Sequence, residues 1–185
     1  YNYIKSSEGI KRIKIPVLQT FGDKINKVRI KHELKWQEKH LRLIWDCYRK
    51  ADYFDEVYHD LEKLLTDSQI YLADFNIHII KYLCNKLTIK AEFRRSSELN
   101  ISTVKEQRII DICTSLDAKI YYSGIGAKAY QEEKNFLNNG IELKYSQYKI
   151  FKYKQQFKGF SPGVSIIDFL MNYGYRWDLI MQNQI

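Results

Sequence analysis

The sequence is poor in residues that interrupt regular structure, with two prolines and eight glycines among 185 residues. Because 45% of its residues are hydrophobic, the chain can bury a core, which excludes the disordered and low-complexity classes. It has no recognisable signal peptide, and no apolar run near the length of about eighteen residues that a membrane span needs. Its three cysteines lie in apolar helical patterns without paired spacing, which favours a reducing compartment. We therefore expect a cytosolic protein.

The motifs of several enzyme classes are also missing. The sequence contains no HExxH, no CxxC and no tight cluster of histidines and carboxylates, so it predicts no metal site. It contains neither a Walker motif nor a GxSxG elbow. The sequence therefore indicates no class of cofactor.

Positive charge is in moderate excess. The chain has 30 Lys and Arg residues against 22 Asp and Glu residues, a formal net charge of +8. Such an excess suits anionic partners such as phosphates, nucleotides or nucleic acid. Solvated helix faces on which lysines alternate with acids explain the same count, so both interpretations stay open.

Strand-like runs alternate with helical segments between residues 90 and 145. The predicted strands are 90–93, 118–122 and 141–145, and the helices are 103–116 and a segment that ends at Asn138-Asn139-Gly140. This alternation indicates β-α-β units and a parallel sheet. We predict an α/β fold with a small parallel or mixed sheet, an N-terminal β-hairpin and a helical segment packed on it, in a single domain over residues 1–185.

The remaining elements are predicted from periodicity. Residues 10–31 indicate two antiparallel strands, and apolar spacing predicts helices over 35–50, 54–66 and 69–86, the last of them mostly buried. Pro162 suits the first position of a helix that Gly174 ends, and residues 175–185 are expected to form a short amphipathic tail.

A polar corner follows the first predicted parallel strand, and ligands of open sheets bind beyond the carboxyl ends of the strands. Arginine offers a planar fork for phosphate or carboxylate, and paired serines add short donors. A salt-bridged loop explains the same residues. The candidate ligand-binding residues at this corner are Arg94, Arg95, Ser96, Ser97 and Glu98, with Arg108 expected to point to the same edge.

A second polar corner follows the next predicted strand. Glycines at this turn let a backbone approach closely, and the helix expected after them offers N–H groups to an anion. The residues concerned are Ser123, Gly124 and Gly126. Tyr130, one turn further on, either stacks on a ring of the ligand or packs inward.

Two side chains are candidate catalytic residues. His40 lies on an aromatic helical face with Trp36 and Tyr48, and its intrinsic pKa suits acid–base chemistry. A partly buried histidine bonded to backbone is the alternative. Asp168 lies between Ile167 and Phe169, and a carboxylate among apolar neighbours is either paired or functional.

The segment 145–160 combines aromatic residues with lysines. Aromatic rings among positive charges are typical of a surface that stacks RNA bases or sugars. An edge strand with its aromatic face on the core gives the same pattern.

Several stretches together resemble the WbqC-like family, whose members are encoded among bacterial surface-polysaccharide (O-antigen) genes. They are HLRLIWDCYRKADYF (40–54), AEFRRSSEL (91–99), EQRIIDICTSLDAKIYYSGIGAKAY (106–130), NGIELKY (139–145), YKQ (153–155) and FSPGVSIIDFLMNYG (160–174). Members typically begin with an apolar strand and a Gln-Pro-rich turn, which this sequence lacks. We expect Tyr1 to fall downstream of that segment in a longer native chain.

The resemblance implies a cytosolic role in making nucleotide-linked or lipid-linked sugar precursors. The preferred hypothesis is an enzyme that transfers an acyl or aminoacyl group to an activated amino sugar. In it, Arg94 and Arg95 hold phosphate, the turn 123–126 presents N–H groups, and His40 or Asp168 moves protons. The alternatives are a non-catalytic protein that binds an anionic ligand or a partner enzyme, and an RNA-binding module. A nucleotide-linked sugar or other phosphorylated small molecule is thus the expected partner.

Overall fold

The structure is a computed structural model that describes residues 1–182. The chain divides into two compact units: unit 1 comprises residues 1–90 and the chain from 150 onward, and unit 2 comprises residues 91–149. Each unit combines helices with short strands, which confirms the predicted α/β class.

Unit 1 opens with the predicted N-terminal hairpin, but its strands lie earlier in the chain than expected. β1 (Asn2–Ser6) pairs antiparallel with β2 (Gly9–Ile13). Gly9 has a φ of 111°, which allows the tight turn after β1. Of the predicted pair over 10–31, residues 10–13 belong to β2. The remainder pairs only through two-residue strands, β3 (Val17–Leu18) against β4 (Arg29–Ile30), because residues 25–27 adopt a 3₁₀ helix.

Three helices follow where apolar spacing predicts them: α1 (Trp36–Tyr48), α2 (Phe54–Thr66) and α3 (Leu72–Lys86). The expectation that the third is mostly buried is wrong. Only Phe75 of α3 is fully buried, and Ile80 is 49% exposed. A single stripe packs on the core because its members recur three or four residues apart: Leu72, Phe75, Ile79 and Leu83.

Unit 2 contains one β-α-β unit. Its helices are α4 (Lys105–Ser115) and α5 (Glu133–Leu137), and its strands are β5 (Ile120–Ser123) and β6 (Glu142–Tyr145). The strands pair in parallel, with Ile120 opposite Glu142 and Ser123 opposite Tyr145. The core of the unit consists of Ile110, Cys113, Phe136, Ile141 and Leu143.

The first strand predicted for the parallel sheet, 90–93, does not form. Residues 91–95 are irregular, and residues 96–98 form a 3₁₀ helix. Residues 91–98 are all exposed, so the segment has no apolar face to pack against a neighbouring strand. Within residues 1–182, the parallel sheet therefore has two strands rather than three.

The chain returns to unit 1 through an irregular segment and ends in two helices, α6 (Ile166–Tyr173) and α7 (Trp177–Met181). Helix α6 begins later than Pro162 suggests, because Ser165 is the N-cap and accepts the Ile167 N–H at 3.4 Å. It ends at Gly174 as predicted, where φ is 65°. Residues 183–185 of the expected tail lie outside the described residues.

The core of unit 1 lies between the hairpin and the helices. Five elements contribute a fully buried residue to it: Ile4 from β1, Ile44 from α1, Val57 from α2, Phe75 from α3 and Leu170 from α6. None of the helices over residues 1–182 is long and apolar enough to cross a membrane.

Candidate functional site

A buried polar cluster joins three elements of unit 1. Asp168 of α6 is 0% exposed, and its Oδ2 accepts a hydrogen bond of 2.9 Å from the Tyr48 hydroxyl of α1. The same hydroxyl accepts the backbone N–H of Lys5 in β1 at 3.1 Å. The Lys5 side chain is also buried, and its ammonium donates to the Gly159 carbonyl. Tyr48 thus connects the strand to the carboxylate.

Burial controls the ionisation of this cluster. It raises the pKa of Asp168, and the Tyr48 hydroxyl, the Tyr153 and Gln155 side chains and the Lys5 charge oppose the rise only in part. Burial and the nearby carboxylate also raise the pKa of Tyr48. Oδ1 of Asp168 has no hydrogen-bond partner within residues 1–182. Of the two expectations for Asp168, a paired carboxylate is the one that these contacts fit.

The loop beside Asp168 is fixed by side-chain amides. The Gln155 amide donates to the Ser161 carbonyl at 3.0 Å, and its oxygen accepts the Ser161 N–H at 2.8 Å. Asn172 donates to the Asp168 carbonyl at 2.6 Å and accepts from Gln156 at 2.9 Å. Sequence reasoning missed Lys5 and Gln155, because nothing in their neighbourhoods marks them as buried.

The aromatic segment 145–160 contributes to the same core rather than forming a strand. Residues 146–165 contain no strand, so the edge-strand alternative is wrong. Phe151 and Tyr153 pack on the core of unit 1, with the Tyr153 ring 5.3 Å from Phe169 between centroids. Tyr148 and Phe157 stay exposed, so only part of the expected stacking surface faces solvent.

His40 is half-buried on α1, beside the Trp36 ring, whose centroid lies 5.2 Å from that of the imidazole. Burial lowers the pKa of His40, and a hydrogen bond to the Lys14 backbone partly opposes this. The imidazole is therefore neutral at pH 7. When one ring nitrogen donates to the Lys14 carbonyl, the other is left as an acceptor, which is the form that a general base needs.

His40 belongs to the more basic of the two units. The polar contact that the structure shows for it within residues 1–182 is to the backbone of Lys14, whose side chain is exposed. Unit 1 carries 21 Lys and Arg residues against 14 acidic residues, whereas unit 2 carries nine against eight. Nearly all of the excess positive charge of the chain therefore belongs to the unit that contains His40.

The first predicted corner lies in unit 2, where residues 94–98 are all exposed. Arg94 pairs with Glu92, as the salt-bridged alternative expects. Arg108 donates to the carbonyls of Ile101, Thr103 and Ser96, with distances of 3.4 Å to Thr103 and 3.2 Å to Ser96. Arg108 thus approaches the corner as predicted, but its guanidinium binds the loop backbone.

The second predicted corner also lies in unit 2. The helix expected after Gly126 is a 3₁₀ helix over Ile125–Tyr130, which is too short to offer the N-terminus of an α-helix. Ser123 is buried at the end of β5, and Tyr130 is 83% exposed, so the inward-packing alternative for Tyr130 is wrong. A Cβ added at Gly124 or Gly126 meets no atom within 4 Å, and neither has a positive φ. The fold of unit 2 therefore does not require glycine at either position.

The predicted site residues divide between the units. His40 and Asp168 belong to unit 1, and the ten predicted ligand-binding residues belong to unit 2. Within unit 2, direct contact joins Arg108 and Ser96. Among residues 1–182, no group of three or more His, Cys, Asp or Glu side chains is arranged to hold a metal ion.

Comparison with known proteins places this chain among bacterial relatives. The model of the WbqC-like protein family matches residues 1–177. The chain is 30% identical over 177 residues to the uncharacterized protein Rv1507c of Mycobacterium tuberculosis. The match covers 94% of this chain and 76% of the mycobacterial protein. No solved structure matches the chain significantly.

Proposed function

Because the chain belongs to the WbqC-like protein family, we propose that it is a cytosolic enzyme of bacterial surface-polysaccharide synthesis. Members of this family are associated with O-antigen gene clusters. In this proposal the enzyme transfers an acyl or aminoacyl group to the amino group of a nucleotide-linked sugar. His40 is the general base.

The observation that carries the proposal is the environment of His40. Its imidazole is neutral at pH 7, is hydrogen-bonded to the Lys14 backbone and belongs to the unit that carries most of the excess positive charge. A neutral base in a positively charged unit suits a substrate that brings both a proton to remove and an anionic group to bind. An amino sugar linked to a nucleoside diphosphate has both features.

The reaction requires an activated acyl donor, such as a thioester, as a co-substrate. The sugar amine attacks the acyl carbonyl, and a C–N bond forms while the bond from the carbonyl to the leaving group breaks. His40 accepts the proton that the amine loses and returns it to the leaving group or to water. Lowering the pKa of His40 by burial keeps the base unprotonated at physiological pH.

Anion binding by unit 2 is a separate proposal, made for that unit by itself. Within unit 2, we assign Arg95, Ser96 and Ser97 to the phosphate of a phosphorylated small molecule. The exposed Gly124, Gly126 and Tyr130 are assigned to its anionic or ring portion. The lack of any steric need for glycine at 124 and 126 supports this assignment.

The test compares His40→Gln with His59→Gln, a matched change at an exposed histidine of α2. Nucleoside-diphosphate amino sugars should raise the melting temperature of the wild type and of both variants. Transfer from a labelled acyl thioester to the sugar should fall by a factor of about 100 or more in His40→Gln alone, as expected for loss of a general base. Unchanged transfer in His40→Gln would refute the role of His40, and no thermal shift with any nucleotide ligand would refute the substrate class.

A non-catalytic protein that binds an anionic ligand is the second candidate. The burial of Asp168 favours this candidate. Because Asp168 is inaccessible to solvent, it cannot act on a substrate together with His40, and it is the other predicted catalytic residue. In that case the ligand should shift the melting temperature without any turnover, and replacing Lys14 or Lys39 by Gln should reduce the shift more than His40→Gln does.

A further inference from the structure

The loop between β3 and β4 carries the most exposed apolar side chain of unit 1. Phe21 is 108% exposed, which means that its ring stands clear of the rest of the fold. Ile25 is 77% exposed, and Leu18, at the start of the loop, is 49% exposed. Scattered apolar residues are ordinary on a protein surface, but an aromatic and an aliphatic side chain this exposed within five residues of one loop favour a binding surface.

The loop is held in place at its base and tip. Val28 and Ile30, at its C-terminal end, are both only 6% exposed. Their backbones bond the chain before α3, with the Leu72 N–H donating to the Val28 carbonyl and the Ile30 N–H to the Ile70 carbonyl, each at 2.9 Å. At the tip, the Asp23 carboxylate accepts the Thr20 N–H at 2.6 Å. The exposure of Phe21 and Ile25 is therefore a property of an anchored turn.

Positive charge surrounds the loop tip. Residues 14–31 contain five basic side chains and one acid, and the acid is Asp23, which closes the turn. Lys24 and Lys27 lie on either side of Ile25 and are exposed. Apolar side chains at a tip with lysines directly beside them match the two layers of an anionic lipid surface, the acyl boundary and the phosphate headgroups.

We propose that the loop 19–27 docks unit 1 on an anionic lipid surface, with Phe21 and Ile25 in the acyl boundary and Lys24 and Lys27 at the headgroup phosphates. A lipid surface fits better than a folded protein partner. A stable protein interface buries about 800 Å² on each side, whereas the apolar area here is limited to a protruding turn. A fluid headgroup layer adapts to such a protrusion. The inference is independent of the role proposed for His40.

The test is co-sedimentation with vesicles of phosphatidylglycerol or of phosphatidylcholine, at low and at physiological salt. The wild type should bind phosphatidylglycerol and leave phosphatidylcholine largely unbound. Phe21→Ser with Ile25→Ser should weaken binding about tenfold or more per side chain. Lys24→Gln with Lys27→Gln should weaken it about fivefold per lysine, and less so at higher salt.

The matched control is Val104→Ser with Leu137→Ser, two exposed apolar residues of unit 2 (68% and 56% exposed), which should bind as the wild type does. A second readout uses Phe21→Trp, whose added fluorescence should shift to the blue with phosphatidylglycerol vesicles. No binding to these vesicles would overturn the proposal. So would binding that depends on the lysines but is unchanged in the Phe21 and Ile25 variant, since that result indicates attraction to any polyanion, an acidic protein included.

Discussion

Replacing Tyr48 by Phe should destabilise unit 1 by about 3 kcal/mol through the loss of a single oxygen atom. The change removes the donor to Asp168 Oδ2 and the acceptor of the Lys5 N–H. A hydrogen bond to a charged group contributes about 1.5–3 kcal/mol, and a stranded buried N–H costs about 1–3 kcal/mol. The ring itself remains, and Tyr48 is fully buried, so no packing is lost and no water replaces the hydroxyl.

Urea unfolding followed by tryptophan fluorescence measures this loss specifically, because all three tryptophans of the chain belong to unit 1. The midpoint should fall by about 1.5 M for a slope of about 2 kcal/mol per molar urea. Tyr1→Phe, at a side chain that is 79% exposed, is the control and should leave the midpoint unchanged. Combining Tyr48→Phe with Asp168→Asn should cost less than the two single changes added together. A Tyr48→Phe midpoint within 0.3 M or so of the control would refute the energetic importance of the cluster.

Three further predictions concern stability and loop order. Burial raises the pKa of Asp168 in the folded state above its ordinary value of 3.8. The contribution of this carboxyl group to the stability of unit 1 is therefore complete below pH 3.8 and is lost as the pH rises through the folded-state pKa. Asp168→Asn should therefore gain stability relative to wild type with rising pH, by at most about 1.4 kcal/mol per pH unit, and a pH-independent difference in urea unfolding would contradict this. Gly174→Ala places a Cβ 2.7 Å from Tyr53 at a φ of 65°, so it should cost about 3 kcal/mol, against about 1 kcal/mol for Gly163→Ala, where no atom lies within 4 Å. Arg108→Met should speed amide exchange over 96–103 while leaving β5 and β6 protected; unchanged exchange would show that the three carbonyl bonds do not order the loop.

The helices could be predicted because the pattern that specifies a helix lies within its own residues. In α1 and α2 the apolar residues recur at helical spacing and bury one face, and Gly174 ends α6 with a backbone angle that favours glycine. Strands depend on partners that lie elsewhere in the chain. Residues 90–93 look like a strand in isolation but have no neighbour to pair with, whereas β1 is recognisable only once β2 is placed beside it.

The sequence indicated which residue types form the candidate site, but it could not indicate which of them lie close together in space. Asp168 and Tyr48 are 120 residues apart in sequence, and Lys5 and Tyr48 are 43 apart. Only the fold of unit 1 brings them together. A carboxylate within an apolar helix was a sufficient signal that Asp168 is paired or functional, but no pattern in the sequence names a tyrosine as its partner.

The two predicted proton carriers lie in different environments within the same unit. Asp168 is closed to solvent and bonded to Tyr48, so its measurable effect should be on stability and its pH dependence. His40 is half-exposed and neutral at pH 7, so in the proposed function its effect should be on chemistry. Since unit 1 holds nearly all of the excess positive charge, we expect it to attract both the anionic substrate proposed for His40 and the anionic lipid surface proposed for the loop 19–27. Transfer by vesicle-bound protein should then respond to the loop variants at Phe21 and Ile25 only when the sugar substrate is presented on the vesicles, and not when it is free in solution.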